Sequence, residues 1–183
     1  MPEDKFPRLT GTRREQFIFS SADAFKRASR LALEGVERAE GAGEKFHLGI
    51  VYGVNGAFAV ELYLKCLLAV ECGQIPATHN LKDLFYQLSR ESQGKLKRDH
   101  DKRIQDNSML VGFRQRLGIK TDLDSLLEDG QDVFKQFRYM FEGVPDRTKP
   151  LGFALEPFGE LVRNRILDLR PEWLADESTS QAR

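Results

Sequence analysis

The chain has 183 residues, 40% hydrophobic and 31% charged, the balance of an ordinary globular protein with enough length to bury one sizeable core. Lys and Arg total 28 and so do Asp and Glu, so no overall field draws the chain to nucleic acid or to an anionic membrane. The longest apolar run is broken by charge, the N-terminus lacks the apolar core of a signal peptide, and two cysteines are too few for a disulfide framework.

These features predict a cytoplasmic domain over residues 16–173, between a flexible N-terminal tail (1–15) and a flexible C-terminal tail (174–183). A first helix is predicted from Ser20, where Ser20 and Asp23 have the spacing of a capping box, to the GAG run at 41–43. Ala22, Phe25, Ser29, Ala32, Val36 and Ala39 supply its three-and-four spacing. A second helix, 47–72, is apolar nearly all round and is expected to be the central, most buried one. Gly73 caps it and Pro76 follows. Cys66 and Cys72 lie on this helix about 120° apart at 100° per residue, and both read as buried free thiols.

A third helix is predicted over 79–90, with Leu81, Leu84, Phe85 and Leu88 inward. The run GKLKRDHDKRIQDN reads as a solvated charged loop, and MLVGFRQRLGI as a short helix or packed loop. Residues 121–127 and 133–141 form a further helical region bounded near Gly130, and PDRTKPLG is a loop. A last helix starts with Pro157 in its first turn, buries Phe158, Leu161, Val162, Ile166 and Leu169, and stops at Pro171. With no period-two strand and no repeat, the fold class is all-α: an up-down bundle of four to five main helices.

One stretch of the central helix, GAFAVELYLKCLLAV, sets Glu61 and Lys65 four residues apart in apolar surroundings. Buried charges need partners. FKQFRYMFEG offers them, since Arg138 and Glu142 form a second pair at the same spacing. Arg138 opposite Glu61 and Glu142 opposite Lys65 would close a four-membered network.

These residues carry a resemblance. Glu61/Leu62/Leu64/Lys65, then His79/Leu81/Leu84, then Arg138/Tyr139/Glu142 occur in the order and spacing of blocks in bacterial members of the HEPN superfamily (higher eukaryotes and prokaryotes nucleotide-binding domains), which the chain resembles over roughly residues 20 to 170. The resemblance implies a HEPN-like helical bundle, usually a homodimer through its central helices. It also implies an RNA or nucleotide ligand, and a nucleotidyltransferase-type partner protein in a toxin–antitoxin or phage-defence setting. Active relatives are metal-independent ribonucleases with an Arg, four to six residues, then a His. The Arg holds the phosphate and the His moves a proton.

That motif is absent here. The required positions hold Glu40, Gly41 and Ala42 before His47, Cys72, Gly73 and Gln74 before His79, and Gln93, Gly94 and Lys95 before His100. No phosphate loop, nucleophile elbow or metal-spaced His/Cys/Asp set replaces it, so no cofactor or metal is predicted. His79 is expected either to cap the third helix or to join Glu61. Lys95, Lys97, Arg98, Lys102 and Arg103, with Arg114, Arg116 and Lys120, form either a phosphate-binding surface or a solvated charged face. Arg163 and Arg165 carry the same ambiguity.

The resulting expectation is a non-catalytic binding or regulatory module with a polar network or anion site at Glu61, Lys65, His79, Arg138, Tyr139 and Glu142. Two alternatives stand beside it. One is a non-standard ribonuclease in which Arg138 and His79 share a phosphate. The other is a purely structural interaction domain, recognised by an exposed apolar face without a basic cleft.

Overall fold

The computed structural model describes residues 10–106, 122–128, 130 and 155–174. Among them the chain is helical with no strand, an all-α bundle. The helices are α1 (Gly11–Arg38), α2 (Ala42–Cys72), α3 (Leu81–Gln87), α4 (Arg90–Asp106), α5 (residues 123–128) and α6 (Leu155–Leu169).

α1 and α2 form a long antiparallel hairpin, and α2 is also the wall against which α3 and α6 pack. The first helix starts nine residues before Ser20, with Thr10 as its extended N-terminal neighbour, so residues 11–15 are helical. The Ser20/Asp23 pair is therefore mid-helix and caps nothing. Asp23 faces inward instead, because Tyr63 and Arg163 meet it there. α1 ends at Arg38, and Ala39 and Gly41 are both extended. Gly41 does not close α1 but opens α2, accepting at its carbonyl the Lys45 N–H at 3.0 Å.

The expectation that α2 is buried all round holds only for its second half. From Ala57 to Ala69 it supplies about a third of the buried apolar residues, Val60, Tyr63, Leu64, Leu67 and Leu68 among them. Its first half pairs with the end of α1 and is otherwise largely open. Over its most apolar 18-residue window, α2 has a mean hydropathy of 1.4, so it is long and apolar enough to cross a bilayer by length and composition. Of that window, 56% is buried inside the molecule. Gly73 terminates α2 as expected. Its φ of 71° is left-handed, and its N–H donates to Ala69 O at 2.9 Å.

α6 lies on the buried half of α2. Phe158, Val162 and Ile166 are fully enclosed, each burial worth roughly 1.5–3 kcal/mol. Gly159 permits the approach: a Cβ there would stand 3.1 Å from Val60 Cγ2. Arg170 ends the helix, and Trp173 packs on Phe19 with ring centroids 5.3 Å apart, tying the chain's end to α1.

The charged run expected as a loop is helix α4. Ser92, Leu96, His100 and Ile104 recur every four residues and are all buried, Leu96 and His100 at 0% and 2% exposure. This single stripe was hidden by the surrounding charge.

Candidate functional site

Glu61 and Lys65 occupy successive turns of the buried half of α2, 6% and 9% exposed. Lys65 Nζ lies 3.0 Å from Glu61 Oε1, so the pair is a true buried ion pair. Leaving α2 at Gly73, the chain returns to this point before α3. His79 Nδ1 reaches the same Oε1 at 2.9 Å. Of the two roles open to His79, the ring takes the Glu61 partnership. The cap of α3 is Asn80, whose Oδ1 accepts the Asp83 N–H at 3.0 Å.

The asymmetry of this trio sets its chemistry. Glu61 and Lys65 are enclosed, whereas the His79 side chain is 74% exposed. A carboxylate can only accept a hydrogen bond, so the ring presents Nδ1–H to Glu61. The functional lone pair of the neutral imidazole is then at Nε2, on an open ring. Arg138, Tyr139 and Glu142, the other members of the expected network, lie outside the described residues.

Of the expected phosphate surface, the five residues Lys95, Lys97, Arg98, Lys102 and Arg103 lie on α4, and Arg114, Arg116 and Lys120 lie outside the described residues. Lys95 pairs with Asp99 at 3.3 Å and stands 3.9 Å from Asp168. Lys97 Nζ lies 3.3 Å from the Tyr86 hydroxyl and 3.6 Å from Asp124, and 5.1 Å over the Tyr86 ring. The Tyr86 hydroxyl, and after it Asp124, hold the Lys97 pKa above its ordinary value, against partial desolvation. Arg103 donates to Pro157 O at 3.2 Å. Arg98 and Lys102 are exposed. Three of the five are therefore tied to neighbouring helices, and acidic or phenolic groups share the surface with them.

Two networks that join separate helices, the second partly exposed, are missing from the sequence reading. In the first, Asp23 accepts from the Tyr63 hydroxyl and from Arg163, whose Nε is 2.8 Å from Oδ1 and whose Nη2 is 3.3 Å from Oδ2. The guanidinium also lies 5.3 Å over the Phe19 ring. Burial first, and then Asp23, push the Tyr63 hydroxyl pKa well above its ordinary value. In the second, Arg165 donates through Nε to Ser92 Oγ at 2.8 Å and through Nη2 to Glu91 at 2.7 Å. Ser92 donates onward to Glu71, which also accepts the Ser89 N–H at 2.8 Å and the Ser89 hydroxyl at 2.7 Å. Arg163 and Arg165 thus serve the interior. The available signal was an ionisable residue on an apolar helix face, Asp23 one turn from Phe19 and Arg165 beside Ile166.

Cys66 is fully buried, and burial pushes its thiol from the ordinary 9.0 to about 12. Cys72 is exposed, correcting the expectation that both thiols are enclosed. A surface groove of about 290 Å³ between α1, α4 and α6 is lined by Arg30, Arg103, Glu156, Pro157, Glu160 and Asn164. Arg30 is already paired there with Glu156 at 3.0 Å and Glu160 at 3.6 Å. Among the described residues, no group of three or more His, Cys, Asp or Glu side chains is placed to hold a metal ion.

Set against known proteins, the chain matches no family model, no curated protein and no solved structure.

Proposed function

We propose that the chain is a non-catalytic, HEPN-like binding module that works as a homodimer and acts through protein contacts. The observation that carries this reading is exposed apolar side chains on the α1–α2 hairpin, toward its turn. Leu31 is 64% exposed, Phe46 47% and Val51 45%, and Ile50 and Val54 are only partly covered. Exposed apolar side chains at one end of a helical hairpin offer surface against which another chain can pack.

A second copy is the occupant that the charges favour. The hairpin end carries both signs, with Glu34, Glu37, Glu40 and Glu44 beside Arg30, Arg38 and Lys45. In a two-fold interface each patch meets itself, so a mixed rim is self-complementary where a single-sign rim repels. The chain's zero net charge likewise leaves no long-range repulsion between copies. An RNA or nucleotide ligand, and a nucleotidyltransferase partner, remain part of the HEPN-like reading. The pairing of Lys95, Lys97 and Arg103 within the chain supports a protein ligand over an RNA or nucleotide one.

Light scattering coupled to size exclusion tests the dimer. The wild-type chain is expected to run as a dimer. Leu31→Glu with Val51→Glu is expected to run as a monomer of unchanged helical circular dichroism. A wild-type chain that stays monomeric at high concentration would overturn the proposal.

A further inference from the structure

The imidazole of His79 has a use that a protein-contact role leaves unexplained. Its Nδ1 is fixed on Glu61 Oε1 at 2.9 Å, and Lys65 stands 3.0 Å from that oxygen as counter-ion. A hydrogen bond from Nδ1–H to a buried carboxylate fixes the tautomer and the ring plane and makes Nε2 a better electron-pair donor. That nitrogen is on a ring 74% exposed. The 290 Å³ groove is lined by other residues, and the His79 ring is open to solvent. A phosphoryl donor reaches this nitrogen from solvent, free or carried on another molecule.

We propose that His79 is a phosphoryl-acceptor site, with Nε2 as the nucleophile and Glu61 as its positioning residue. The donor class is a phosphoryl compound with a good leaving group, such as an acyl phosphate, a phosphoramidate or a phosphorylated residue of a second protein. The Nε2 lone pair forms the N–P bond. The bond from phosphorus to the leaving group breaks, and its electron pair departs with that group. No oxidation or reduction occurs. The ring becomes cationic as the bond forms, and its Nδ1–H stays on Glu61. The negative charge of Glu61 offsets the developing imidazolium, as a buried carboxylate does behind a histidine in acyl transfer.

The chain contains its own control. His47 is also exposed, stands beside Phe46, and makes no hydrogen bond to a carboxylate among the described residues, whereas His100 is buried. The experiment treats the full folded chain with phosphoramidate, whose P–N bond breaks to release ammonia. Acid-labile phosphoryl groups are then located by mass spectrometry, and the nitrogen carrying them is assigned by phosphorus NMR.

His79 is expected to be modified faster than His47 by about tenfold or more, below the roughly 10²–10⁴-fold of a positioned proton-transfer group because Glu61 only orients the ring. The product is expected on Nε2. Glu61→Gln is expected to lower the rate at His79 to that at His47 while leaving His47 unchanged. Because this substitution touches a buried residue, the wild-type comparison of the two histidines decides the matter without it. Equal rates at His79 and His47, no modification of His79, or a product on Nδ1 of His79 would each overturn the proposal.

Discussion

Arg163 Nε lies 2.8 Å from Oδ1 of Asp23, across 140 residues of chain, and so fastens the last helix to the first. The carboxylate also takes the Tyr63 hydroxyl, so three helices meet at one oxygen-rich point. Tyr63 is fully buried and the two charged side chains sit at the edge of the core, where removing a charge's partner is costly. Asp23→Ala is therefore expected to destabilise the fold by about 3–5 kcal/mol, since it removes a buried carboxylate that both Arg163 and Tyr63 bond. Tyr63→Phe removes only one hydrogen bond and is expected to cost roughly 1–3 kcal/mol. Urea unfolding followed by circular dichroism checks both, and equal losses would contradict this ranking.

Glu61→Ala removes the counter-ion of Lys65, which is 9% exposed and has no room to reach water freely. A loss of a few kcal/mol is expected, as for breaking one partner of a buried pair. His79→Ala leaves the ion pair in place and alters an open side chain, so its loss is expected to stay below about 1 kcal/mol. Thermal melting of the two variants gives the comparison. A Glu61→Ala protein as stable as the wild type would sink the buried-pair account.

The thiols should separate by reactivity. Cys72 is exposed, and Cys66 is enclosed with its pKa pushed up to about 12. A thiol reagent is expected to label one cysteine quickly in the native chain and a second only after denaturation, because the thiolate is the reactive form.

The same burial sets an alkaline limit. Cys66 is raised from 9.0 to about 12 by burial, and Tyr52 from 10.0 to about 12 by burial and then Glu156. The unfolded chain releases these protons first, so the neutral forms favour folding fully below about pH 9. That contribution is lost as the pH rises toward 12. Melting temperature is expected to fall across this window, and Cys66→Ala is expected to delay the onset of the fall toward the tyrosine range.

Gly73 supplies a sharp local prediction. At φ 71° any other residue pays for left-handed backbone, so Gly73→Ala is expected to cost about 1 kcal/mol. Nothing crowds the position, so the loss is backbone strain alone. A neutral substitution in urea unfolding would show that the α2 terminus relaxes.

Local chemistry fixed much of this protein. Apolar spacing alone assigned the helical class, the inward faces of α3 and α6, and the dense core from Ala57 to Ala69. The stop at Gly73 was legible because only glycine enters that conformation cheaply. The Glu61–Lys65 pair was legible too, since charges one turn apart in an apolar run have each other within reach. Other features depend on residues far apart in sequence. Ser20 and Asp23 have a cap's spacing, but a cap is decided by where the helix begins, and Asp23 was claimed by Tyr63 and Arg163. The run around Lys97 looked like a loop because charge outnumbers Leu96, His100 and Ile104, and only packing against α6 makes that thin stripe sufficient for a helix. The first half of α2 is as apolar as a core helix, yet how much of it is covered is set by how far α6 reaches. That coverage, and the placing of His79 on Glu61, arise only when separate segments meet. Sequence spacing constrains the contacts within one helix, and tertiary packing decides which charged and apolar groups of different helices share a low-dielectric space.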